Sequence, residues 1–452
     1  MRRAGGDRQS GPELAAGLAV LLWQYRLELG SVALAVAGQR LLAGRTGDVI
    51  AAVAVTALLA ALAVIAPVRR LAWRALRRSW VRRAWERASI DAGLCDGPLH
   101  APRLLAVERV PAVDLLRVRV RGGQSATALD ARCEELAASL RVREIRVQRD
   151  RSDAATAHVT LVRRDPFEAA APASWPTADV EERSLWDPIA LGVDEHGRAV
   201  EICLVERNVL VGGEPGAGKS VALSLLVAAA ALDREARVWL LDGKLVELAA
   251  WAPVAERLVG PDGEQAITVL HDVQVVMEDR YRERLACGLR KVRREDGLPL
   301  HLIVVDELAF YPTLPDRKQR QQFAELLRDL VARGRAAGVI VVAATQKPGA
   351  DVVPTALRDL FGFRLALRCN TPQASDTILG QGWATAGADA STIPGGQRGV
   401  GWLLAEGERP QRIKGYHLTD EQIAAIAERA AARRADAWLT AATSEVEQER
   451  QP

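Results

Sequence analysis

Aromatic residues make up only 4% of this 452-residue chain, and lysine is scarcer still, with six positions (219, 244, 291, 318, 347 and 414) among 60 basic residues. So strong a preference for arginine is the mark of a GC-rich coding sequence, and it makes each retained lysine informative. Cysteine is sparse as well. Cys95, Cys133, Cys203, Cys287 and Cys369 are odd in number and scattered without any short paired spacing, which argues against a disulfide framework or a cysteine-based zinc site and fits a reducing compartment. The six histidines, at 100, 158, 196, 271, 301 and 417, never fall at metal-ligand spacing, so no metal centre built from histidine is expected. Net charge is also small, at +3. A bulk excess of that size does not argue for a polyanionic partner, because such a surface needs local clustering.

Length points to several units, since a chain of 452 residues exceeds the roughly 250–300 residues that one core organises. Residues 49–68 form an uncharged run whose length as a helix matches a hydrocarbon core of about 30 Å. Arg69, Arg70, Arg74, Arg77, Arg78, Arg82, Arg83 and Arg87 follow at once, relieved only by Glu86. Arginines so close to a span mark its cytoplasmic end, so everything beyond residue 69 is expected inside the cell. Trp73, Trp80 and Trp85 fit an interfacial, basic juxtamembrane helix, with anionic lipid as the partner of the arginines. A first span at 27–43 would make a hairpin with both ends inside, in agreement with Arg2, Arg3 and Arg8; one span or two remain open. Residues 1–90 are thus expected to be a membrane anchor.

Beyond the anchor, strand-like runs at 115–120, 142–147 and 158–162 surround an amphipathic helix near 126–140, which predicts a small α/β module over residues 100–165. Residues 166–188 have no apolar period and read as a linker. From 189 to 420, strands at 208–211, 237–241, 302–305, 339–344 and 363–367 alternate with helical stretches at 219–231, 264–285 and 320–336. That alternation predicts an α/β domain with a mostly parallel sheet, which the motifs within it make a P-loop NTPase (RecA-like) motor. Residues 421–452 are expected to be a terminal helix with a charged, disordered tail from 444.

The chemistry is concentrated in that domain. Gly213, Glu214, Pro215, Gly216, Ala217, Gly218, Lys219 and Ser220 have the Walker A spacing, after a strand and before a helix. Glycines let backbone amides turn inward around phosphate, Lys219 neutralises the β and γ oxygens, and Ser220 offers a hydroxyl to Mg2+. With Val221, these residues are the expected nucleotide-binding set, and ATP with Mg2+ the expected cofactors. An apolar run at 302–305 ends in Asp306 and Glu307, a Walker B pattern that delivers Asp306 to the metal and Glu307 to the attacking water as general base. A third strand ends in Thr345, Gln346 and Lys347, where Gln346 is the candidate γ-phosphate sensor.

Together these residues resemble the FtsK/SpoIIIE family of DNA-pumping ATPases. The resemblance runs over about residues 189–420 and includes the segments 242–248 (DGKLVEL), 277–281 (MEDRY), 305–309 (VDELA), 332–338 (ARGRAAG) and 344–348 (ATQKP), in family order. The short anchor and the segment 159–167 (VTLVRRDPF) resemble the Tra transfer proteins of actinomycete conjugative elements. The resemblance implies a homo-hexameric ring, ATP at the subunit interfaces, double-stranded DNA driven through the channel, and other transfer proteins as partners at the membrane. It also makes Arg335, Arg364 and Arg398 candidates for an arginine acting in trans. In one respect the sequence departs from the family, because residues 417–438 give one helix and no winged-helix recognition domain.

The expected function is therefore membrane-anchored, ATP-driven movement of DNA in conjugative transfer. Chromosome segregation at a septum and protein secretion of the type VII kind are the alternatives. Against the latter stands the single Walker A segment, since such secretion motors carry several ATPase domains in tandem. A nucleotide-gated scaffold is a further rival, disfavoured by the intact Lys219, Asp306 and Glu307.

Overall fold

The computed structural model describes residues 66–95, 100–110, 112–168 and 172–448, with side chains described between residues 78 and 435. The expected spans, 27–43 and 49–68, lie outside the described residues apart from the last three positions of the second. Among the described residues no helix is long and apolar enough to cross a membrane. The chain divides into two units between Asp165 and Pro166.

In the first unit, helix α1 (Ala66–Asp91) precedes strands β1 (Arg103–Arg109) and β2 (Val113–Arg119), helices α2 (Ala126–Asp130) and α3 (Cys133–Leu140), and strands β3 (Glu144–Arg149) and β4 (Thr156–Val162). The strands form an antiparallel sheet of order β1-β2-β4-β3. Val81, Trp85, Ala88 and Ala92 are buried at the spacing of one helical face, and they pack with Leu116, Leu129, Leu136 and Val159 in the unit's core. Trp85, expected in an interfacial helix, is instead a core residue whose indole Nε1 donates to Pro102 O at 3.0 Å. Trp80 on the same helix is 63% exposed. The basic helix is thus part of the module, and the boundary expected between residues 90 and 100 does not separate two cores.

The second unit is built on ten strands. They are β5 (Ile189–Asp194), β6 (Ala199–Ile202), β7 (Val209–Gly212), β8 (Arg237–Asp242), β9 (Ala255–Val259), β10 (His301–Asp306), β11 (Val339–Thr345), β12 (Phe363–Leu367), β13 (Val400–Ala405) and β14 (Gln411–Gly415). Their order is β6-β5-β14-β13-β12-β7-β11-β10-β8-β9. From β9 to β12 every neighbouring pair is parallel, whereas β13, β14, β5 and β6 extend the sheet antiparallel. Strands β7, β10 and β11 are buried at every position, as a parallel sheet covered on both faces requires.

Helices α4 (Lys219–Ala231), α5 (Gly263–Ala286), α6 (Arg317–Arg333), α7 (Thr355–Arg358), α8 (Pro372–Leu379) and α9 (Asp420–Gln448) complete the unit. One core holds α4 and α9 against the sheet, and a second holds α5, α6 and α8. Asp262 and Asp316 cap α5 and α6 by accepting backbone amides of their first turns.

Two expected boundaries shift. The segment 166–188, expected as a linker, belongs to the second unit: Trp175 and Leu185 are in its core, and Trp175 Nε1 donates to Ala190 O at 2.9 Å. Its buried positions are single side chains with no period, which is why it reads as a connection. Beyond residue 420, Ile426, Ala427 and Ala430 are also core residues. Arg434 donates to Val254 O, Ala230 O and Asp233 O. Helix α9 runs to Gln448, into the segment expected as a disordered tail; residues 449–452 lie outside the described residues.

Candidate nucleotide-binding site

Parallel strands deliver the chemistry to one edge. The carboxyl ends of β7, β10, β11 and β12 lie side by side, and the loop 213–218 joins β7 to α4 there. Gly213 N donates to Thr345 O at 3.2 Å and Glu214 N to Arg368 O at 2.9 Å, so the loop is tied to the ends of both flanking strands. Gly218 adopts φ +108°, and a Cβ there would lie 2.9 Å from Gly399 N. Only glycine satisfies both the left-handed backbone and the close approach. Gly399 N in turn donates to Ala217 O at 2.8 Å.

Lys219 opens α4 and is buried. Its Nζ is 2.8 Å from Asp306 Oδ1 and 3.7 Å from Glu307 Oε2. Burial pushes the Asp306 carboxyl pKa up, while the Lys219 ammonium pulls against that rise. Asp306 Oδ2 is buried without a hydrogen-bond partner. An orphaned carboxylate oxygen suits a hard, oxygen-seeking cation. Asp306 and Ser220 therefore fit Mg2+ carried with a nucleotide, which would neutralise charge on the phosphates.

Glu307 follows β10 in the left-handed region, at φ +58°. Its Oε1 accepts from the Thr345 hydroxyl at 3.2 Å and from Gln346 N at 3.1 Å. The other oxygen, Oε2, faces Lys219 and also Lys244 Nζ at 3.5 Å. Lys244 sits on the turn after β8, where the buried Asp242 carboxylate accepts from Lys244 N, Leu245 N and Leu248 N at 2.9 to 3.0 Å.

A cavity of about 630 Å³ opens over this loop, walled by Lys219, Lys244, Gln346, Arg398, Lys414 and Tyr416 among others. Gln346 thus reaches the same space as the loop, as does Ser220. Lys347 lines a neighbouring cavity of about 270 Å³, with Glu214 and Gln346. Four of the six lysines therefore gather here, in a chain that uses arginine almost everywhere else.

The three candidate arginines separate. Arg398 lines the cavity of its own chain. Arg335 precedes β11, donating to Leu360 O at 3.2 Å and lying 3.6 Å from Glu406 Oε2. Arg364, near the amino end of β12, lies 3.5 Å from Asp359 Oδ1, and burial pulls its pKa down. Neither Arg335 nor Arg364 lines the cavity.

Sequence reasoning gave no role to Asp242, Lys244, Thr345 or Arg368, whose guanidinium pairs with Glu214 in the loop. Lysine scarcity was the usable signal for Lys244. Nothing local marked Arg368, one arginine among dozens.

A covered parallel sheet with a glycine-rich loop, a buried lysine and a strand-end carboxylate pair at its carboxyl edge defines a P-loop nucleoside triphosphatase. Residues 177–384, within the second unit, match the FtsK/SpoIIIE family. The DNA translocase FtsK of Pseudomonas aeruginosa is 25% identical over 355 residues, covering 70% of this chain and 42% of that protein. Its counterpart in Corynebacterium efficiens is 30% identical over 320 residues, covering 61% and 32%. This chain thus spans less than half the length of these relatives. Among solved structures, the pCW3 conjugation coupling protein TcpA with ATPγS is similar in fold, with a TM-score of 0.51 and 17% identity over 77% of this chain and 98% of that one.

Proposed function

We propose that this chain is an ATP-driven translocase that moves double-stranded DNA. The observation that carries the reading is the pairing of Lys219, which lines the cavity, with Asp306 and Glu307, within a domain matched by relatives that are DNA translocases. Hydrolysis follows from the site. Water held by Glu307 attacks the γ-phosphorus as its proton passes to the carboxylate. The bond between the γ-phosphorus and the β,γ-bridging oxygen breaks, leaving ADP, with Lys219 stabilising charge on the phosphates. Gln346 orients the γ-phosphate end of the cavity.

The working form is a ring of identical subunits with ATP at their interfaces. Because Arg398 already serves its own chain's cavity, Arg335 and Arg364 are the candidates to act in trans. A membrane anchor over residues 1–68, with the arginine run on its cytoplasmic side, holds the ring at the plasma membrane with its motor in the cytoplasm. Conjugative transfer, alongside other transfer proteins, is the setting, supported by the likeness in fold to a conjugation coupling protein.

Displacement of a triplex-forming strand from linear double-stranded DNA tests translocation directly. Release that requires hydrolysable ATP and vanishes in Glu307→Gln supports the proposal. Hydrolysis without release refutes it.

A further inference from the structure

Glu307 divides its carboxylate between two surroundings. Oε1 is held by β11 through the Thr345 hydroxyl and Gln346 N, while Oε2 has an ammonium on either side, Lys219 at 3.7 Å and Lys244 at 3.5 Å. The role of Lys219 follows from its place in the phosphate-binding loop. Lys244 has no such explanation. It comes from a different strand end, on a turn that three backbone hydrogen bonds to the buried Asp242 hold in shape. Leu245, the next residue, accepts φ +57° to complete that turn. The construction fixes the backbone of Lys244, whereas its side chain is 41% exposed.

Both the loop and Lys244 wall the same cavity. A nucleotide whose β-phosphate is gripped by Lys219 has its γ-phosphate within reach of Glu307, whose Oε2 lies 3.7 Å from Lys219 Nζ. A terminal phosphate carries more negative charge than a carboxylate, and its oxygens accept ammonium hydrogens as well. We propose that Lys244 reads the terminal phosphate: it caps Glu307 Oε2 when the site is empty or holds a diphosphate, and moves to the γ-phosphate when a triphosphate binds. The move uncaps the oxygen that takes the proton from water. Hydrolysis is thereby tied to the presence of its own substrate, and the site recloses on ADP. This rests on the nucleotide-binding part of the proposed function, and not on DNA as the cargo.

The test is calorimetric binding of ATPγS and of ADP, each with Mg2+, to the full chain and to its Lys244→Met and Lys244→Arg variants. Lys244→Met is expected to weaken ATPγS about tenfold while leaving ADP within twofold, a difference worth about 1.4 kcal/mol. Lys244→Arg, which keeps the charge, is expected to recover most of the ATPγS affinity. Equal loss for both nucleotides would make Lys244 a structural residue of the turn, and unchanged affinity for both would remove it from the phosphate; either outcome overturns the proposal. Failure of wild type to bind either nucleotide would instead overturn the nucleotide reading itself, and triplex displacement fails or succeeds independently of all three.

Discussion

Lys219 Nζ lies 2.8 Å from Asp306 Oδ1, and both side chains are almost completely buried. Each is the other's nearest counter-charge. Removing one partner of such a pair leaves a buried charge uncompensated, at a cost of about 3 kcal/mol. Lys219→Met is therefore expected to lower the unfolding free energy of the nucleotide-free protein by about that much. The raised Asp306 pKa gives the variant an escape by protonation, so its deficit shrinks as the pH is lowered. The double variant Lys219→Met with Asp306→Asn should regain most of the loss in urea titrations, although neither variant hydrolyses ATP.

Asn208 provides a purely structural test. Fully buried, it donates from Nδ2 to Val331 O and accepts at Oδ1 from Val341 N, both at 2.8 Å. It thereby joins the end of α6 to strand β11. Asn208→Ala orphans two buried backbone groups, and a loss of about 2–4 kcal/mol is expected from desolvation without compensation. Thermal unfolding of the variant checks this; a midpoint equal to wild type would mean that water replaces the amide.

His301 predicts an acid dependence. Its Nδ1 accepts from Trp239 Nε1 at 3.1 Å, and burial, with Arg280 and Arg237 nearby, pushes its pKa down to about 3. The folded imidazole stays neutral where the unfolded one, with an ordinary pKa near about 6.5, takes up a proton. Its contribution is therefore complete above the unfolded value and drains away as the pH falls from there toward 3. His301→Gln should flatten the acid limb of the stability profile by one proton's slope. An unchanged limb would contradict the assignment.

Much of this was legible. The strands expected at 302–305, 339–344 and 363–367 correspond to β10, β11 and β12, because buried parallel strands are continuous apolar runs. The Walker elements announce themselves by glycine spacing and by carboxylates at a strand end. Less visible were the strands β9, β13 and β14, whose runs are short or broken by charge, as in the QRIKG of β14. Trp175 and Leu185 could not be read as core, since irregular backbone has no period to reveal a buried face. Lys244 was seen as a lysine that survived an arginine bias, but its distance from Glu307 depends on the pairing of β8 with β10, which no local pattern encodes.

The terminal helix α9 carries a prediction of its own. Arg434 closes three backbone carbonyls, and Ile426, Ala427 and Ala430 complete the core that contains α4. A chain cut at residue 418 should lose several degrees in melting temperature and bind a hydrophobic dye, whereas one cut at residue 440 should melt like wild type. Equal melting of the two would show that α9 adds nothing to the domain.

The central claim, that hydrolysis at Lys219, Asp306 and Glu307 drives movement on DNA, is met most directly by measuring ATP turnover of the full chain with and without linear double-stranded DNA, beside Glu307→Gln. The account predicts turnover that rises several-fold with DNA and falls by about 10²-fold or more when the general base is lost. Turnover indifferent to DNA, with the Glu307 dependence intact, would contradict it and leave an ATPase whose cargo is something else.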